Sequence, residues 1–412
     1  MIPRIFLAAA LSLATTGAWA VELTVAHSHP SLFKGVHEEI ARRFMEANPD
    51  IMIKLRATSE NYETLTQELL RDAISGSMPD VFFQGFDRLR VFADRKLIVP
   101  LTPLMENDPE WKADSYSSSA LALGKVGDLQ YGIPFAMSSQ IVYYNADLIR
   151  KVGGDPDNFP KTWPEILMLA GKIQDLSDTM VGLNVELDGF GWQSLVFAQG
   201  GRMLTEDEKD VAFDGPEGQA AMGILHGMGK VAKMPAMSPA QGRQAFVAGT
   251  LGVYVGSIAW VGTVQRDVGD RFDVRTVSYP MTTEKGRLPT GGNAAVISAK
   301  DAEKQKAAWK YIRYVTGPVG STLAVRATGY IPANQDALKD PELLGAFYDE
   351  NPLQRAGIGQ LPLMIGWYAF PGSNGLKIST VIVDAMREVY TLRQEPDAAL
   401  KQLAADVRKL LK

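Results

Sequence analysis

Residues able to do chemistry are spread along this chain without any familiar catalytic spacing. There is no Gly-x-Ser-x-Gly elbow, no phosphate-binding loop and no His-Glu-x-x-His pair. His27 and His29, two apart after an opening strand, could together ligate zinc. The chain has only four histidines and no cysteine, and no acidic, His-rich loop accompanies them, so His29 reads as a polar contact or a plain surface residue. Glycan hydrolysis would need two carboxyls about 5–10 Å apart, and the adjacent acids Glu38/Glu39 and Asp207/Glu208 read as solvated surface instead. Tyr143 and Tyr144 could serve ferric iron, but neighbours in a strand point to opposite faces, so one of them should be core. Asp87 follows a buried strand, where it could accept hydrogen bonds from a ligand or cap the next helix. Trp192, in a Gly-Phe-Gly-Trp run, is either core packing or a ligand contact. Tyr330 and the Trp367-Tyr368 pair stand on loops punctuated by Gly and Pro and not at helix-core spacing.

The elements that must position these groups alternate. Glu22 to Ala26 has strand alternation, and Val36, Ile40 and Phe44 then recur as a helix face. Asn48-Pro49-Asp50 breaks that helix before a strand over 51–55. A helix over 62–75 and a buried strand over 80–83 follow. A second series begins after Gly132-Ile133-Pro134, with a strand over 141–144. Thr162, Pro164 and Glu165 have capping-box spacing for the next helix. Helices over 190–197 and 241–248 and a strand over 251–255 come later, and Ala307, Ala308, Tyr311, Ile312 and Val315 mark one more helix face. Repeated strand–helix units predict an α/β fold with a largely parallel sheet and a ligand crevice beyond the carboxyl ends of the strands.

Arg4, the apolar run Ile5 to Thr15 and Ala18-Trp19-Ala20 predict a secretory signal peptide cut after Ala20. The run is too short for a permanent membrane span. The remaining chain exceeds one comfortable core, which predicts two domains. Export without cysteine leaves core burial to hold the fold and no lipid-modified cysteine to tether it, so the expected location is a bacterial periplasm. Forty-two Lys and Arg against 47 Asp and Glu give a net charge of −5. That mild, unpatterned balance argues against nucleic acid and anionic membrane surfaces.

Several segments, taken in order, resemble the solute-binding proteins of ATP-binding-cassette (ABC) importers, in the carbohydrate-type family that includes maltose-binding protein. They are Pro79-Asp80-Val81; Gly132-Ile133-Pro134 with Tyr143-Tyr144-Asn145 and Asp147-Leu148; Lys161-Thr162-Trp163-Pro164-Glu165; Ala198-Gln199-Gly200-Gly201; Gly291-Gly292 through Pro332; and Phe370 to Lys377. The segment Thr328 to Asn334 is close to the glycerol-phosphate-binding branch. The resemblance implies a two-lobed periplasmic-binding-protein fold with a hinge and an interlobe cleft. It places one lobe at 21–133 plus 291–340 and the other at 134–290 plus 341–412. Gly291-Gly292 becomes a hinge strand returning to the first lobe, where glycine tolerates unusual torsions.

A sugar site needs aromatic faces for ring C–H groups and convergent hydrogen-bonding groups for hydroxyls. The resemblance gives that work to His29, Tyr62, Asp87, Ser138, Ser139, Trp192, Gly256, Ser257, Trp260, Gly292, Tyr330 and Trp367. Lys377, with Arg355 nearby, would serve the alternative of an anionic solute such as a glycerol phosphate or a phosphorylated or sulfonated sugar. The implied protein is a monomeric receptor and not an enzyme. It uses no cofactor and no metal, closes on a sugar, polyol or glycosyl glycerol, and delivers it to membrane permease subunits.

Overall fold

A computed structural model describes residues 21–372 and 374–412; the expected signal peptide and its cut lie outside the described residues. The strands are β1 (Val21–Ala26), β2 (Ile51–Leu55), β3 (Val81–Gly85), β4 (Lys125–Val126), β5 (Leu129–Gln130), β6 (Gly132–Ser138), β7 (Gln140–Asn145), β8 (Val181–Val185), β9 (Leu251–Ser257), β10 (Val274–Ser278), β11 (Leu288–Ile297) and β12 (Met364–Gly366). They form two main sheets, each packed by helices, with a separate β4–β5 hairpin.

The first sheet has the order β12-β11-β3-β1-β2, with β6 also paired to β11. Helix Pro30–Ala47 covers it, burying Leu32, Phe33, Val36, His37, Ile40, Ala41 and Phe44 in one stripe. Helix Tyr62–Ser75 starts where the Asn61 side chain accepts the Thr64 N–H at 2.9 Å, and stops at Gly76 with φ 74°. The second sheet has the order β10-β7-β9-β8. Its helices include Trp163–Gln174, Gly189–Ala198 and Pro216–Lys230.

The expected largely parallel sheet holds only in part. β1 pairs parallel with β2 and β3, but β11 is antiparallel to β3 and β6, and β7 is antiparallel to both β9 and β10. The reason is connectivity. β11 returns from the second core and enters the first sheet at the carboxyl ends of its strands, so it runs antiparallel to β3 and to the outgoing β6, while it stays parallel to β12. β6 stays in the first sheet to Ser138 and β7 begins in the second at Gln140. β11 starts with Leu288 in the second core and ends with Ala294 to Ile297 in the first.

Two local expectations change. Thr162 precedes its helix without capping the backbone, and its hydroxyl instead donates to the Glu165 carboxylate at 2.7 Å. The reciprocal capping box belongs to Ser238 and Gln241 at the start of helix Pro239–Val247. Tyr143 and Tyr144 are both buried, and their hydroxyls donate to the Ser257 and Pro156 carbonyls at 2.7 and 2.8 Å. Neither is free for iron.

Candidate interlobe binding site

The first wall grows from the carboxyl ends of β1 and β3, where an α/β sheet opens its crevice. His29 ends the β1 loop with φ 57°, and its ring centre lies 4.4 Å from that of Tyr62. Burial pushes the His29 imidazole down to about 4, so it is neutral at pH 7. The Tyr62 hydroxyl accepts a hydrogen bond from the Asn293 amide at 3.0 Å, which ties the wall to β11. Tyr330 is 5% exposed, with its ring 5.0 Å from Phe33. Asp87 pairs with Arg88 at 3.0 Å, yet its buried Oδ1 has no partner among the described residues. Burial raises the Asp87 pKa against the pull of Arg88. Gly85 makes room for this corner, since a Cβ there would sit 2.9 Å from Asp87 Oδ1 and 3.1 Å from the Tyr62 ring.

The second wall grows from the ends of β8 and β9. Glu186 accepts from the Tyr254 hydroxyl and from the Ser257 N–H at 3.2 Å. Its pKa is pushed up to about 7, first by burial, with Asp188 adding repulsion and Tyr254 opposing the rise. Arg243 lies 4.0 Å from Glu186 and stacks 3.9 Å from the Trp260 ring centre. Gly256 must lack a side chain here, because a Cβ would stand 2.6 Å from the Tyr254 hydroxyl. Asp188 is open to solvent, so water moderates the rise that surrounding protein gives its pKa.

The floor is the hinge. A Cβ on Gly291 would meet Ser138 Oγ at 2.9 Å, with the Phe190 ring at 3.5 Å beyond. Phe190 meets Trp367 edge to face at 5.0 Å. Gly292 has φ 113°, and a Cβ would come within 1.9 Å of the Ala136 carbonyl oxygen. Past Trp367 the opening continues as a cavity of about 780 Å³, bordered by Phe86, Arg90 and Tyr131 on one side and by Glu208, Trp367 and Tyr368 on the other.

Of the sequence-derived candidates, His29, Tyr62, Asp87 and Tyr330 meet on one wall, and Gly256, Ser257 and Trp260 on the other. Ser138, Gly292 and Trp367 border the floor. Three others are corrected. Trp192 is fully buried against Phe213, because it falls on the inner face of its helix; Phe190 of the same run faces the floor. Ser139 is fully buried and accepts from Gln360 Nε2 at 2.7 Å, so it braces the hinge. Lys377 is exposed with no ion pair or hydrogen bond to the cleft among the described residues, and Arg355 is committed to Asp349 at 2.8 Å. The sequence reading missed Glu186, Asp188, Arg243, Tyr254 and Asn293. Glu186 and Asp188 could have been found by applying to β8 the strand-end rule applied to β1.

Aromatic faces with convergent carboxylates, amide and hydroxyls can hold a small polar solute between two lobes, which is what receptors that trap solutes by closing are built to do. The family described as bacterial extracellular solute-binding proteins matches residues 39–353. The chain belongs to that family. Similar proteins include the sn-glycerol-3-phosphate-binding periplasmic protein UgpB of Salmonella typhimurium, 24% identical over 95% of this chain and 93% of the relative. A putative binding protein of Brucella abortus is 23% identical over 91% of this chain and 89% of the relative. Among solved structures, UgpB from Mycobacterium tuberculosis in complex with glycerophosphocholine superposes with a TM-score of 0.83 at 20% identity, covering 96% of this chain and 99% of the other. The sugar-binding protein MalE of Xanthomonas citri gives 0.81 at 21% identity, covering 95% and 97%. The fold is that of the two-lobed solute-binding proteins.

Proposed function

We propose that the protein is the periplasmic substrate-binding component of an ABC importer, capturing a neutral polyhydroxylated solute (a sugar, polyol or glycosyl glycerol) by hinge closure. It acts as a monomer, without catalysis, and delivers the solute to permease subunits. The observation that carries the choice of solute is the pairing of the aromatic wall around Tyr62 and Tyr330 with the carboxylates Asp87, Glu186 and Asp188. Ring faces pack on sugar C–H groups while carboxyl oxygens accept hydroxyl hydrogens. The same carboxylates repel a phosphate. We place the lobes near the limits drawn from the family resemblance, with the first crossing moved to Ser139. The assignment of a signal peptide ending at Ala20 is part of this proposal.

A second reading, an anionic solute such as a glycerol phosphate, draws on the names of the UgpB relatives and on Arg88 and Arg243 standing in the two walls. Thermal shift of the purified chain separates the two. Maltose, a glycosyl glycerol, sn-glycerol 3-phosphate and glycerophosphocholine are each tested, since a ligand that binds the folded state raises its stability by mass action. A shift with neutral compounds alone supports the first reading, and a shift with the phosphates alone replaces it with the second. The responding compound should lose about tenfold in affinity with Trp260→Ala and with Tyr330→Ala. Unchanged affinity in both variants, measured by calorimetry, would remove the stacking site. Turnover of any glycan would end the non-enzymatic reading.

A further inference from the structure

Glu208, Arg90 and Tyr368 meet at the edge of the 780 Å³ cavity, and none of them is among the groups assigned to the solute. Arg90 lies on the short helix Leu89–Asp94 that follows β3, while Glu208 and Tyr368 belong to loops packed on the second sheet. The Arg90 guanidinium grips Glu208 with two nitrogens, Nη1 at 3.1 and 3.0 Å and Nη2 at 3.0 Å. Among the described residues this is the one ion pair that joins a first-lobe element to the second lobe.

The second-lobe half is held ready. The Tyr368 hydroxyl donates to Glu208 Oε1 at 2.9 Å. The Tyr368 backbone is fixed from both sides by the buried Gln193 side chain, which accepts its N–H at 2.9 Å and donates to its carbonyl at 3.0 Å. Glu208 itself adopts φ 55°, an uncommon conformation for a residue with a side chain, in a turn closed by its N–H donating to the Thr205 carbonyl at 3.0 Å. The first-lobe half has somewhere else to go, because Asp94, one turn along the same helix, lies 3.7 Å from Arg90.

We propose that Arg90, Glu208 and Tyr368 form a clasp that sets how readily the lobes close and, through closure, the affinity for the solute, without contacting it. In the open protein Arg90 keeps only the Asp94 contact, and closure adds the two-nitrogen grip on Glu208. The side chains of Arg90 and Glu208 are 35% and 34% exposed, which places the clasp among modest, salt-sensitive interactions. A pair of that strength tunes a closing equilibrium without freezing it.

The clasp presupposes the hinge closure proposed above, so its test reads closure with no solute added. The chain has no cysteine, so dyes on Glu60→Cys and Ala240→Cys report the interlobe distance by single-molecule energy transfer. Arg90→Ala and Glu208→Gln should each lower the closed fraction three- to tenfold at low salt. The double variant should fall no further than the stronger single, and Tyr368→Phe should lose about twofold. Arg202→Ala, which breaks a surface pair in the same loop region, should change nothing. Closed fractions unchanged in both single variants, or effects that multiply in the double variant, would overturn the clasp. A wild-type chain with no closed population in the absence of solute would also overturn it. If adding the responding solute then closes the chain, the clasp alone has failed; if the distance never changes, hinge closure fails with it.

Discussion

The two walls of the cleft are built for opposite electrostatic tasks. The first stands on a stack of buried rings. His37 is fully buried, its ring 4.3 Å from that of Phe83, 5.2 Å from Phe135 and 4.3 Å from His27, with no partner for either ring nitrogen among the described residues. Burial, with His27 adding repulsion, holds its pKa well below the usual value. The second stands on a hydrogen-bonded carboxylate, Glu186, whose pKa is pushed up to about 7. The first wall keeps charge out of its ring stack and confines it to the Asp87–Arg88 pair beside Tyr62, whereas the second carries a charge that the surrounding protein only partly tolerates. The difference teaches that the two walls share aromatic and hydrogen-bonding groups but hold them differently, the first on a buried ring stack and the second on a hydrogen-bonded carboxylate.

The broadest way to break this arrangement is through the floor that both walls share. Gly292→Ala must accept a positive φ and push its Cβ into the Ala136 carbonyl. It should cost roughly 3–5 kcal/mol of stability by adding backbone strain to overpacking, measured by urea unfolding. A loss below about 1 kcal/mol would mean that the hinge strand adapts freely.

The walls should then answer pH with opposite signs. For His37 the folded pKa is depressed, so the unfolded chain takes up the proton first. Stability is intact above pH about 6.5 and falls as pH drops below it, by about 2 kcal/mol at pH 5. The groups facing this ring are His27, Phe33, Phe83 and Phe135, and the Glu38 charge acts on His27. His37→Phe should therefore flatten the acid limb of the stability curve between pH 7 and pH 5. An acid limb of unchanged slope would assign that loss to other groups.

For Glu186 the folded pKa is raised, so the unfolded chain releases the proton first. Its contribution to stability is greatest at or below the unfolded value near 4.5 and declines as pH rises through about 7. Glu186→Gln should relieve a penalty on the order of 1–2 kcal/mol at pH 8 relative to pH 5. The same change should lower affinity for a hydroxylated solute, because one acceptor oxygen is replaced by a donor. A variant with both the wild-type pH slope and wild-type affinity would remove Glu186 from the second wall's role.

Much of the scaffold was legible because local physics sets it. Helix Tyr62–Ser75 begins at an asparagine cap and ends at a positive-φ glycine, and the face Ala307, Ala308, Tyr311, Ile312 and Val315 is buried as its spacing predicts. Candidates beyond strand and helix ends, such as His29, Asp87, Ser257 and Tyr330, stand beside the cleft, but Ser139, also just past a strand, is turned inward to Gln360. Side-chain direction inside a helix was misread. Trp192 and Phe190 are two residues apart on one helix, and only the packing of that helix against β11 and helices Pro216–Lys230 and Gly375–Tyr390 decides which one turns inward.

By itself, the sequence determined the α/β character, the segment order shared with solute-binding proteins, and the glycines on which the hinge depends, because periodicity, caps and torsional demands are properties of neighbouring residues. The tertiary structure alone decided which carboxylates share the cleft and that Arg90 reaches Glu208, 118 residues away. Burial, pKa shifts and cross-lobe pairing arise from distances between remote segments, and no local pattern in the chain encodes those distances.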